Sequence, residues 1–463
     1  MKFKKPITTL CLLFLTIGIA AQSHELSVKE AIEYAQKNNQ QIKNALLDVK
    51  IQLQTNREVS SAALPQVNGN VSSNYYPNIP VQRFPNFIAA ATYGVLTHEG
   101  VKDGNGNPIV APNDFGYIQA GFGSKFTTNA GVSFQQLLFD GQVFVGLQAR
   151  RTAIEFQQKN VEVTEEVIKA NIYKVYYQLA ASKYQVNIIN SNIARLEKLA
   201  NDTRIMYKNG FAEKIDVDKV SVQLSNLQTE KEKVLNTIEN GYYGLKLLMG
   251  MPIQDSLILK DTISHDEITN GILDATTYKY QDRKEFQYAE LSRRLNQFNM
   301  RRYRLSYVPT VALSATHSYV AQGNTLNYLK TKWNPITVIG LNISIPIFDG
   351  FAKDARIKRA QLQVKQTDNR IEELKLSIDR EVHQAINNYT SALATLDNQK
   401  RNMELAEKVY QQTTRKYQAG TGSSIEMQSA NSDLAIAQSN YIAAMYDAII
   451  AKIDFLKATG KLD

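Results

Sequence analysis

Histidine and cysteine are versatile catalytic and metal-binding side chains, and this sequence contains few of them. It has five histidines and one cysteine, Cys11. The histidines are scattered and form no H-E-x-x-H motif, and the chain has no Walker loop, no G-x-S-x-G turn and no strand-linked G-x-G-x-x-G. The sequence therefore predicts a protein that is not an enzyme and that has no cofactor and no resident metal.

One acidic stretch has the residue types of a calcium loop. Asp103, Asn105 and Asn107 occupy loop positions one, three and five, and Asp114 occupies position twelve. An EF-hand needs glycine at position six, where this sequence has Pro108, and no helical pattern flanks the stretch. We therefore interpret the stretch as part of a long surface loop, roughly residues 77–121, that joins two of the predicted strands.

The first 21 residues predict that the chain is exported. Three lysines precede an apolar run from Ile7 to Ile19, and small residues follow before Gln22. This is the pattern of a cleaved secretory signal peptide, and the run is too short for a transmembrane helix. Because Cys11 lies inside the signal, we expect the mature chain to have no disulfide and no N-terminal lipid anchor.

The charge distribution gives no sign of a nucleic-acid partner. The formal net charge is +9, and basic and acidic residues are interspersed along helical stretches. Such mixing is typical of solvated helix faces, whereas nucleic-acid-binding proteins collect basic residues into patches. Since no second run of 18 or more apolar residues occurs, any contact with membrane lipid must come from strands.

One structural unit occurs twice in the chain. LLFDG at 137–141 recurs as PIFDG at 346–350, and YKNGFAEKIDV at 207–217 recurs as YQAGTGSSIEM at 417–427. Each half reads as a helix, two strands, a very long helix, a glycine turn and a helix. The sequence therefore predicts two repeats joined by a linker.

Hydrophobic periodicity sets the predicted boundaries within each repeat. The long segments carry apolar residues at steps of three and four, which is typical of a coiled coil, and a helix over 142–207 would be about 100 Å long. The predicted boundaries are 1–21 for the signal; 22–250 for the first repeat, with a helical segment Ser27–Ala63, strands 66–76 and 128–139, a long helix 142–207 and a helix 214–249; 251–277 for a linker or equatorial segment; and 278–463 for the second repeat, with a helix, strands 310–320 and 336–348, a long helix 350–417 and a helix 424–458.

The predicted strands alternate between apolar and polar residues. In residues 337–347, Leu341 and four isoleucines fall on one face, and Asn342 and Ser344 fall on the other. Strands of about ten residues with this alternation are typical of membrane β-strands with one wet face, although a soluble four-stranded sheet is an alternative. Four strands cannot close a barrel, and lipid does not tolerate an open sheet edge, so several chains are expected to share one barrel. Aromatic residues near the strand ends would form its girdles: Tyr75, Tyr76, Phe122, Phe126 and Phe139.

Several segments resemble the TolC-like outer-membrane efflux family. They are LSVKEAIEYAQKNN at 26–39, RKEFQYAELSRRLNQFNMRRYRLSYVPTVALSA at 283–315, the PIFDG turn, and the YQAG tip at 417–420. Together they cover nearly the whole mature chain in the family's order. The resemblance implies a mainly α-helical protein with membrane β-strands: a homotrimer with a long α-helical coiled-coil barrel, in which each protomer contributes four strands to a shared twelve-stranded β-barrel.

The same resemblance implies a location and partners. The protein is expected in the outer membrane, in contact with its lipid, and extending into the periplasm. It would be a passive exit duct of a tripartite efflux or type I secretion system, and its partners would be an inner-membrane pump and a periplasmic adaptor. The sequence does not specify the cargo, which could be a drug, a metal or a protein.

The resemblance further implies a periplasmic mouth at the glycine turns. Tyr417 and Asp216 match the tyrosine and aspartate of a network that holds the family's mouth shut, and Glu426 matches its first mouth carboxylate. The family's arginine corresponds to Gly422 and its second carboxylate to Ser429, so the lock must be different or weaker here. We hypothesise that three copies of Glu426 form a cation-attracting ring, the alternative being an ordinary surface glutamate.

Glycines mark the remaining candidate positions. They end the long helices or join a strand to a helix, as glycine does where the backbone must turn sharply. The candidates are Gly210, Gly420 and Gly422 at the helix-turn tips, where the adaptor would make contact, and Asp140, Gly141, Asp349 and Gly350 at the strand-to-helix turns.

Two other classes of protein compete with a channel. A periplasmic adaptor also carries a long helical hairpin, but it would have a single hairpin and paired lipoyl-like half-motifs. A coiled-coil structural protein without a pore would leave the alternating strands unexplained. Two hairpins and four membrane-type strands favour the channel.

Overall fold

The structure is a computed structural model, and it divides into two compact units. We call residues 23–54, 150–297 and 361–462 the helical unit, and residues 55–149 and 298–360 the sheet unit. The structure describes residues 23–79, 81–121, 123–263, 268 and 278–462. The predicted signal peptide, Phe122 of the predicted girdles, and residues 264–267 and 269–277 of the predicted linker lie outside the described residues.

The predicted mainly helical fold with a few strands is confirmed. Short 3₁₀ turns at Tyr280–Asp282, Leu305–Tyr307 and Leu326–Lys330 accompany the main elements. In chain order the elements are β1 (Ser23–Leu26), α1 (Val28–Asn38), α2 (Gln40–Ser61), β2 (Gln66–Tyr75), β3 (Val81–Pro85), α3 (Phe87–His98), β4 (Tyr117–Gly121), β5 (Phe126–Phe139), α4 (Gly141–Lys208), α5 (Lys214–Met249), β6 (Ser256–Leu259), α6 (Lys284–Arg304), β7 (Thr310–Gly323), β8 (Asn334–Ser344), α7 (Ala352–Gln418) and α8 (Ser424–Ala458).

The described strands form three sheets. The largest is antiparallel, with the strand order β2-β5-β7-β8, and belongs to the sheet unit. The pair β3 and β4 is antiparallel, although α3 separates the two strands in sequence, and β1 pairs in parallel with β6 in the helical unit. The predicted linker therefore begins with a strand, β6, that is tied to the first described residues of the chain.

Tyr176 fixes the small β1–β6 sheet against α4. Its side chain is fully buried, and its hydroxyl donates to the Leu26 carbonyl and accepts from the Asp261 amide, both at 3.0 Å. Burial raises the pKa of Tyr176 to about 12. The Asp261 carboxylate in turn accepts from the Val28 amide at 2.7 Å, at the start of α1. A buried hydroxyl needs such partners, so this tyrosine holds three segments in one arrangement.

The prediction of one helical segment over Ser27–Ala63 was wrong, because Asn39 separates α1 from α2. Its backbone is extended, with φ −60° and ψ 131°. The Asn39 side chain caps α2 by accepting from the amides of Gln41 and Ile42 at 2.7 and 3.1 Å. It also donates to the Leu248 carbonyl at 2.7 Å, so the end of α5 meets the break.

The second repeat differs from its predicted strand boundaries. β7 continues to Gly323, and β8 ends at Ser344 although its prediction ran to residue 348. Pro346 follows two residues later and has no amide hydrogen for a ladder hydrogen bond. The backbone therefore leaves the sheet before the turn into α7.

The stretch predicted as a long surface loop, residues 77–121, contains β3, α3 and β4. Asn86 caps α3 by accepting from the Ala89 amide at 3.0 Å. Within the calcium-like stretch, the Asp103 carboxylate accepts from the amides of Asn105 and Asn107, both at 2.9 Å. These backbone hydrogen bonds lower the pKa of Asp103 and close a compact turn.

Two glutamates one helical turn apart on α4 have opposite pKa shifts. Burial alone would raise the pKa of Glu162. However, the ammonium groups of Lys159 and Lys284 lie 2.5 and 3.3 Å from the Glu162 carboxylate, and their combined effect lowers the pKa below its ordinary value. For Glu166, burial and then repulsion from Glu285 raise the pKa. The negative charge of Glu162 therefore stabilises the folded protein, and that of Glu166 destabilises it.

We predict that at pH 7 Glu166→Gln raises the melting temperature by about 1–2 °C and Glu162→Gln lowers it by about as much. A carboxyl with a raised pKa contributes stability that is fully present below its ordinary value of 4.5 and is lost as the pH rises through the folded value. The contribution of Glu162 is present above 4.5 and is lost as the pH falls through its lowered folded value. Circular dichroism melts in detergent between pH 4 and pH 8 check this. A Glu166→Gln gain that is as large at pH 4 as at pH 7 would contradict it.

Candidate functional site

The four-stranded sheet has one apolar face. Residues directly opposite each other on neighbouring strands share a face, and the register pairs Val71 with Ala130, and Leu313 with Leu341. Polar residues interrupt this face: His317 and Thr337 hydrogen-bond to each other at 2.7 Å, and Ser73, Thr128 and Gln136 also lie on it. The apolar residues that the register brings together are Val67, Val71, Tyr75, Ala130, Val132, Phe134, Val311, Leu313, Ala315, Tyr319, Ile339, Leu341 and Ile343.

The opposite face of the same sheet is polar. Its side chains bond to one another across strands, as Asn342 does to the Ser314 hydroxyl at 2.9 Å. Five apolar residues also lie on this face: Leu137, Ala312, Val320, Ile336 and Val338. The polar residues are Gln66, Asn68, Asn70, Ser72, Asn74, Asn129, Ser133, Gln135, Thr310, Ser314, Thr316, Ser318 and Asn342.

The apolar face is uncovered over much of its area. Val71 is 78% exposed and Ile339 is 74% exposed, on the two outer strands. Soluble monomers rarely leave so large an apolar surface in water, so this face is suited to contact with another apolar phase. The two outer strands are also open at their edges, because among the described strands β2 pairs only with β5 and β8 only with β7.

An aromatic stack covers one end of the apolar face. The Phe126 ring stacks on Tyr75 at 4.8 Å and on Tyr328 at 5.3 Å between ring centres. The Tyr328 hydroxyl bonds to the hydroxyls of Ser73 and Thr128 at 2.9 and 2.7 Å. The sequence pattern predicts Tyr75 and Phe126 at the strand ends but does not indicate Tyr328, because a single tyrosine in a short connection carries no periodic signal.

At the first strand-to-helix turn, Asp140 and Gly141 have structural roles. The Asp140 carboxylate accepts from the Gln142 amide at 2.7 Å and caps α4. A Cβ atom on Gly141 would lie 2.8 Å from the Leu305 Cβ, so only glycine fits there.

The second strand-to-helix turn also has an aspartate cap, but its glycine is needed for a different reason. The Asp349 carboxylate accepts from the Lys353 amide at 2.9 Å, close to the start of α7. Gly350 has φ +64°, a left-handed conformation that favours glycine. Both turns therefore start a long helix within a few residues of the preceding sheet strand.

The two helix-turn tips share the same backbone conformation at their glycines. Gly210 and Gly420 have φ +77° and +74°, and each follows the end of a long helix. Gly422 lies against the end of α7, where an added Cβ would be 3.0 Å from the Tyr417 amide nitrogen. This close approach disfavours a side chain at the position that corresponds to the family's arginine.

Asp216 and Glu426 are equivalent residues of the two repeats. Asp216 accepts from the Glu213 amide at 3.3 Å, and Glu426 accepts from the Ser423 amide at 3.4 Å. Each carboxylate therefore caps the first turn of the helix after its tip. The 210-residue repeat offset relates the two positions, a relation that the sequence analysis did not draw.

Tyr417 is 8% exposed and packs in an apolar cluster that joins four helices near the tips. Leu196 of α4, Val220 of α5 and Met427 of α8 belong to the same cluster. Within the described part of the chain, the Tyr417 hydroxyl forms no hydrogen bond with Asp216. The structure therefore places the two residues near the same tips but does not join them in a hydrogen-bonded network.

A polar cluster interrupts the apolar interior near the tips. Asn192 and Arg195 of α4 both donate to the Gln438 side-chain oxygen of α8, at 3.2 and 3.4 Å. The Arg195 guanidinium lies over the Tyr410 ring of α7, 5.3 Å from its centre. Sequence analysis missed this cluster, because polar residues beside a coiled-coil stripe are normally solvated.

No helix that the structure describes is both long enough and apolar enough to cross a membrane. Among the same residues, no group of three or more histidine, cysteine, aspartate or glutamate side chains is placed to hold a metal ion.

Comparison with known sequences identifies relatives. Residues 280–461 match the profile of a family described as outer membrane efflux protein. The chain is 19% identical to outer membrane protein TolC of Vibrio cholerae serotype O1 over 337 residues, which are 72% of this chain and 77% of that protein. It is 20% identical to outer membrane efflux protein BepC of Brucella suis biovar 1 over 351 residues, 73% of each chain.

Solved structures share the fold over most of the chain. A crystal structure of CusC superposes with a TM-score of 0.75 and 16% identity, and covers 99% of this chain and 98% of that one. The outer membrane protein VceC of Vibrio cholerae gives a TM-score of 0.70 and 14% identity, with 94% and 96% covered. These matches confirm the predicted resemblance.

We predict that Gly131→Val disrupts the four-stranded sheet and that Gly69→Val is tolerated. A Cβ atom at position 131 would lie 2.4 Å from the Ser318 Cβ and 2.7 Å from the His317 carbonyl oxygen, whereas one at position 69 would meet nothing within 4 Å. Overpacking against backbone should cost about 2 kcal/mol or more. Yield of folded protein and melting temperature in detergent measure the difference. Equal losses in the two variants would be inconsistent with the register described above.

Proposed function

We propose that this chain, a relative of the TolC-like outer-membrane efflux proteins, is an outer-membrane exit duct. In this proposal it conducts substrates passively from an inner-membrane pump across the periplasm and the outer membrane, in a tripartite efflux or type I secretion system. It performs no chemistry, since its relatives are channel proteins and the work of transport belongs to the pump.

The two-faced sheet with two open edges carries the proposal. Its apolar face suits lipid, and its polar face suits a water-filled lumen. Lipid does not tolerate unpaired strand edges, so β8 of one copy pairs with β2 of the next until the ring closes. Three copies give twelve strands, the homotrimer that the family resemblance implies.

The long helices supply the periplasmic part of the duct. α4 has 68 residues and α7 has 67, so each is about 100 Å long. At their far ends, Phe211 is 80% exposed and Ile425 is 68% exposed beside the turns of Gly210 and Gly420. Exposed apolar residues at a helix tip support contact with another protein, and the periplasmic adaptor is the proposed partner.

The competing classes explain fewer of these features. A periplasmic adaptor or a coiled-coil structural protein without a pore has no need for an uncovered apolar sheet face with open edges. Cell fractionation, heat-sensitive migration of a trimer on gels, and conductance in planar bilayers together test the duct. A soluble periplasmic monomer without conductance is the outcome that would overturn the proposal.

At the mouth, each copy of the chain supplies two candidate carboxylates, because Asp216 of the first repeat is equivalent to Glu426 of the second. Glu426 is exposed and Asp216 is half-buried, and both cap the helix that follows a tip. In a homotrimer they would supply six carboxylates around one opening. A narrow opening ringed by like charges carries a negative potential that attracts cations.

We predict that Glu426→Gln lowers the cation-to-anion permeability ratio of the duct by roughly twofold. Glutamine still accepts the Ser423 amide hydrogen, so the helix cap is kept while the charge is lost. Asp216→Asn should lower the ratio further. Reversal potentials of single channels across a KCl gradient measure it, and Glu373→Gln, an exposed change in the first half of α7, is the control. An unchanged ratio in the double variant would remove the carboxylates from the selectivity of the mouth.

A further inference from the structure

We propose that Asn192, Arg195, Tyr410 and Gln438, here called the Arg195 clasp, hold the two helix hairpins together near the tips and set how readily the duct opens. This inference rests on the proposed function. It names the residues that regulate the mouth, where the position of the family's arginine is Gly422.

The contacts of the clasp join one hairpin to the other. Asn192 and Arg195 belong to α4, which forms the first hairpin with α5, while Tyr410 and Gln438 belong to α7 and α8 of the second. One oxygen, Gln438 Oε1, accepts from both α4 side chains. Among the residues that the structure describes, Arg195 forms no ion pair, so its bond to this neutral oxygen and its stacking on Tyr410 are its contacts across the hairpins.

These contacts are weak enough to be reversible. The two hydrogen bonds of 3.2 and 3.4 Å are long for N–H···O geometry, and their shared acceptor is an amide instead of a carboxylate. A charged acceptor would form shorter and roughly twice as strong hydrogen bonds with a guanidinium. The clasp therefore stabilises the closed arrangement of the hairpins only weakly.

Several polar side chains near the tips are buried without a protein partner. Five buried side-chain polar atoms in the described part of the chain form no hydrogen bond to another protein atom, and four of them lie on α4 and α5 near the tips: Asn192 Oδ1, Arg195 Nε, Thr203 Oγ1 and Gln223 Oε1. Pairing every buried polar atom with a protein partner stabilises a packed interface, and these four atoms have none. The closed packing is therefore less stable than a fully paired interface would be.

The apolar cluster around Tyr417 opposes separation of the helices. Leu196 and Leu199 of α4 pack there with Val220 and Met427, so opening the tips exposes apolar surface. The clasp lies directly beside this cluster along α4, because Arg195 precedes Leu196. A small change in the strength of the clasp is thus expected to shift the balance between closed and open tips.

Arg195→Ala should loosen the tips. We expect the open probability of single channels in planar bilayers to rise about threefold to tenfold, and amide hydrogen exchange in residues 205–213 and 415–423 to accelerate. Arg204→Ala is the matched control, since it removes the same charge from an exposed position on the same helix. Circular dichroism melts show whether each variant is folded.

Gln438→Glu should have the opposite effect, because it gives Arg195 a charged partner. Open probability and tip exchange are then expected to fall about threefold or more. In the Arg195→Ala background the same change should no longer tighten the tips, because the new carboxylate has lost its partner. If the clasp had a purely structural role, the two single variants would not be expected to change the open probability in opposite directions.

The two proposals fail in different ways. Absence of conductance in the wild-type protein and in every variant would overturn the exit duct, and hydrogen exchange at the tips would still decide the clasp. If Arg195→Ala, Gln438→Glu and Arg204→Ala all match the wild type in tip exchange, the clasp is overturned whether or not a pore forms.

Discussion

Hydrogen bonding of the backbone in lipid is the constraint on which the proposed architecture depends. A sheet whose apolar face is uncovered cannot remain in water, and a sheet with two open edges cannot enter hydrocarbon alone. The register of β2, β5, β7 and β8 creates both problems at once, because it collects the apolar residues on one face and leaves two edges without partners. In the proposed duct, edge-to-edge association of copies solves both problems, because it pairs the open edges and places the apolar face in lipid.

Duplication explains why the helical unit has matching features at both tips. Gly210 and Gly420 turn the chain, and Asp216 and Glu426 start the returning helices, in positions that the repeat makes equivalent. The polar cluster of Arg195 has no such symmetry, since it joins one repeat to the other. Features within a repeat thus build the hairpins, and a feature between repeats controls how tightly they pack.

Local patterns were sufficient to predict much of this fold. Alternation located the sheet strands, and steps of three and four located the long helices, because both periods are set by backbone geometry. The break at Asn39 was missed, because its side chain bonds to Leu248, which is distant in sequence. The Arg195 cluster was missed for the same reason, since a sequence does not reveal which faces of α4, α7 and α8 meet. Within the candidate site, the glycine turns at the tips could be predicted and the contacts between hairpins could not.

The chemistry of the clasp determines what could release it. Its acceptor is an amide, which does not titrate, and its donors are an amide and a guanidinium, which stays charged in proteins. Acidification therefore leaves the hydrogen bonds of the clasp itself unchanged. A partner that binds the separated hairpins more tightly than the closed ones would shift the balance toward separation without any change of charge in the clasp.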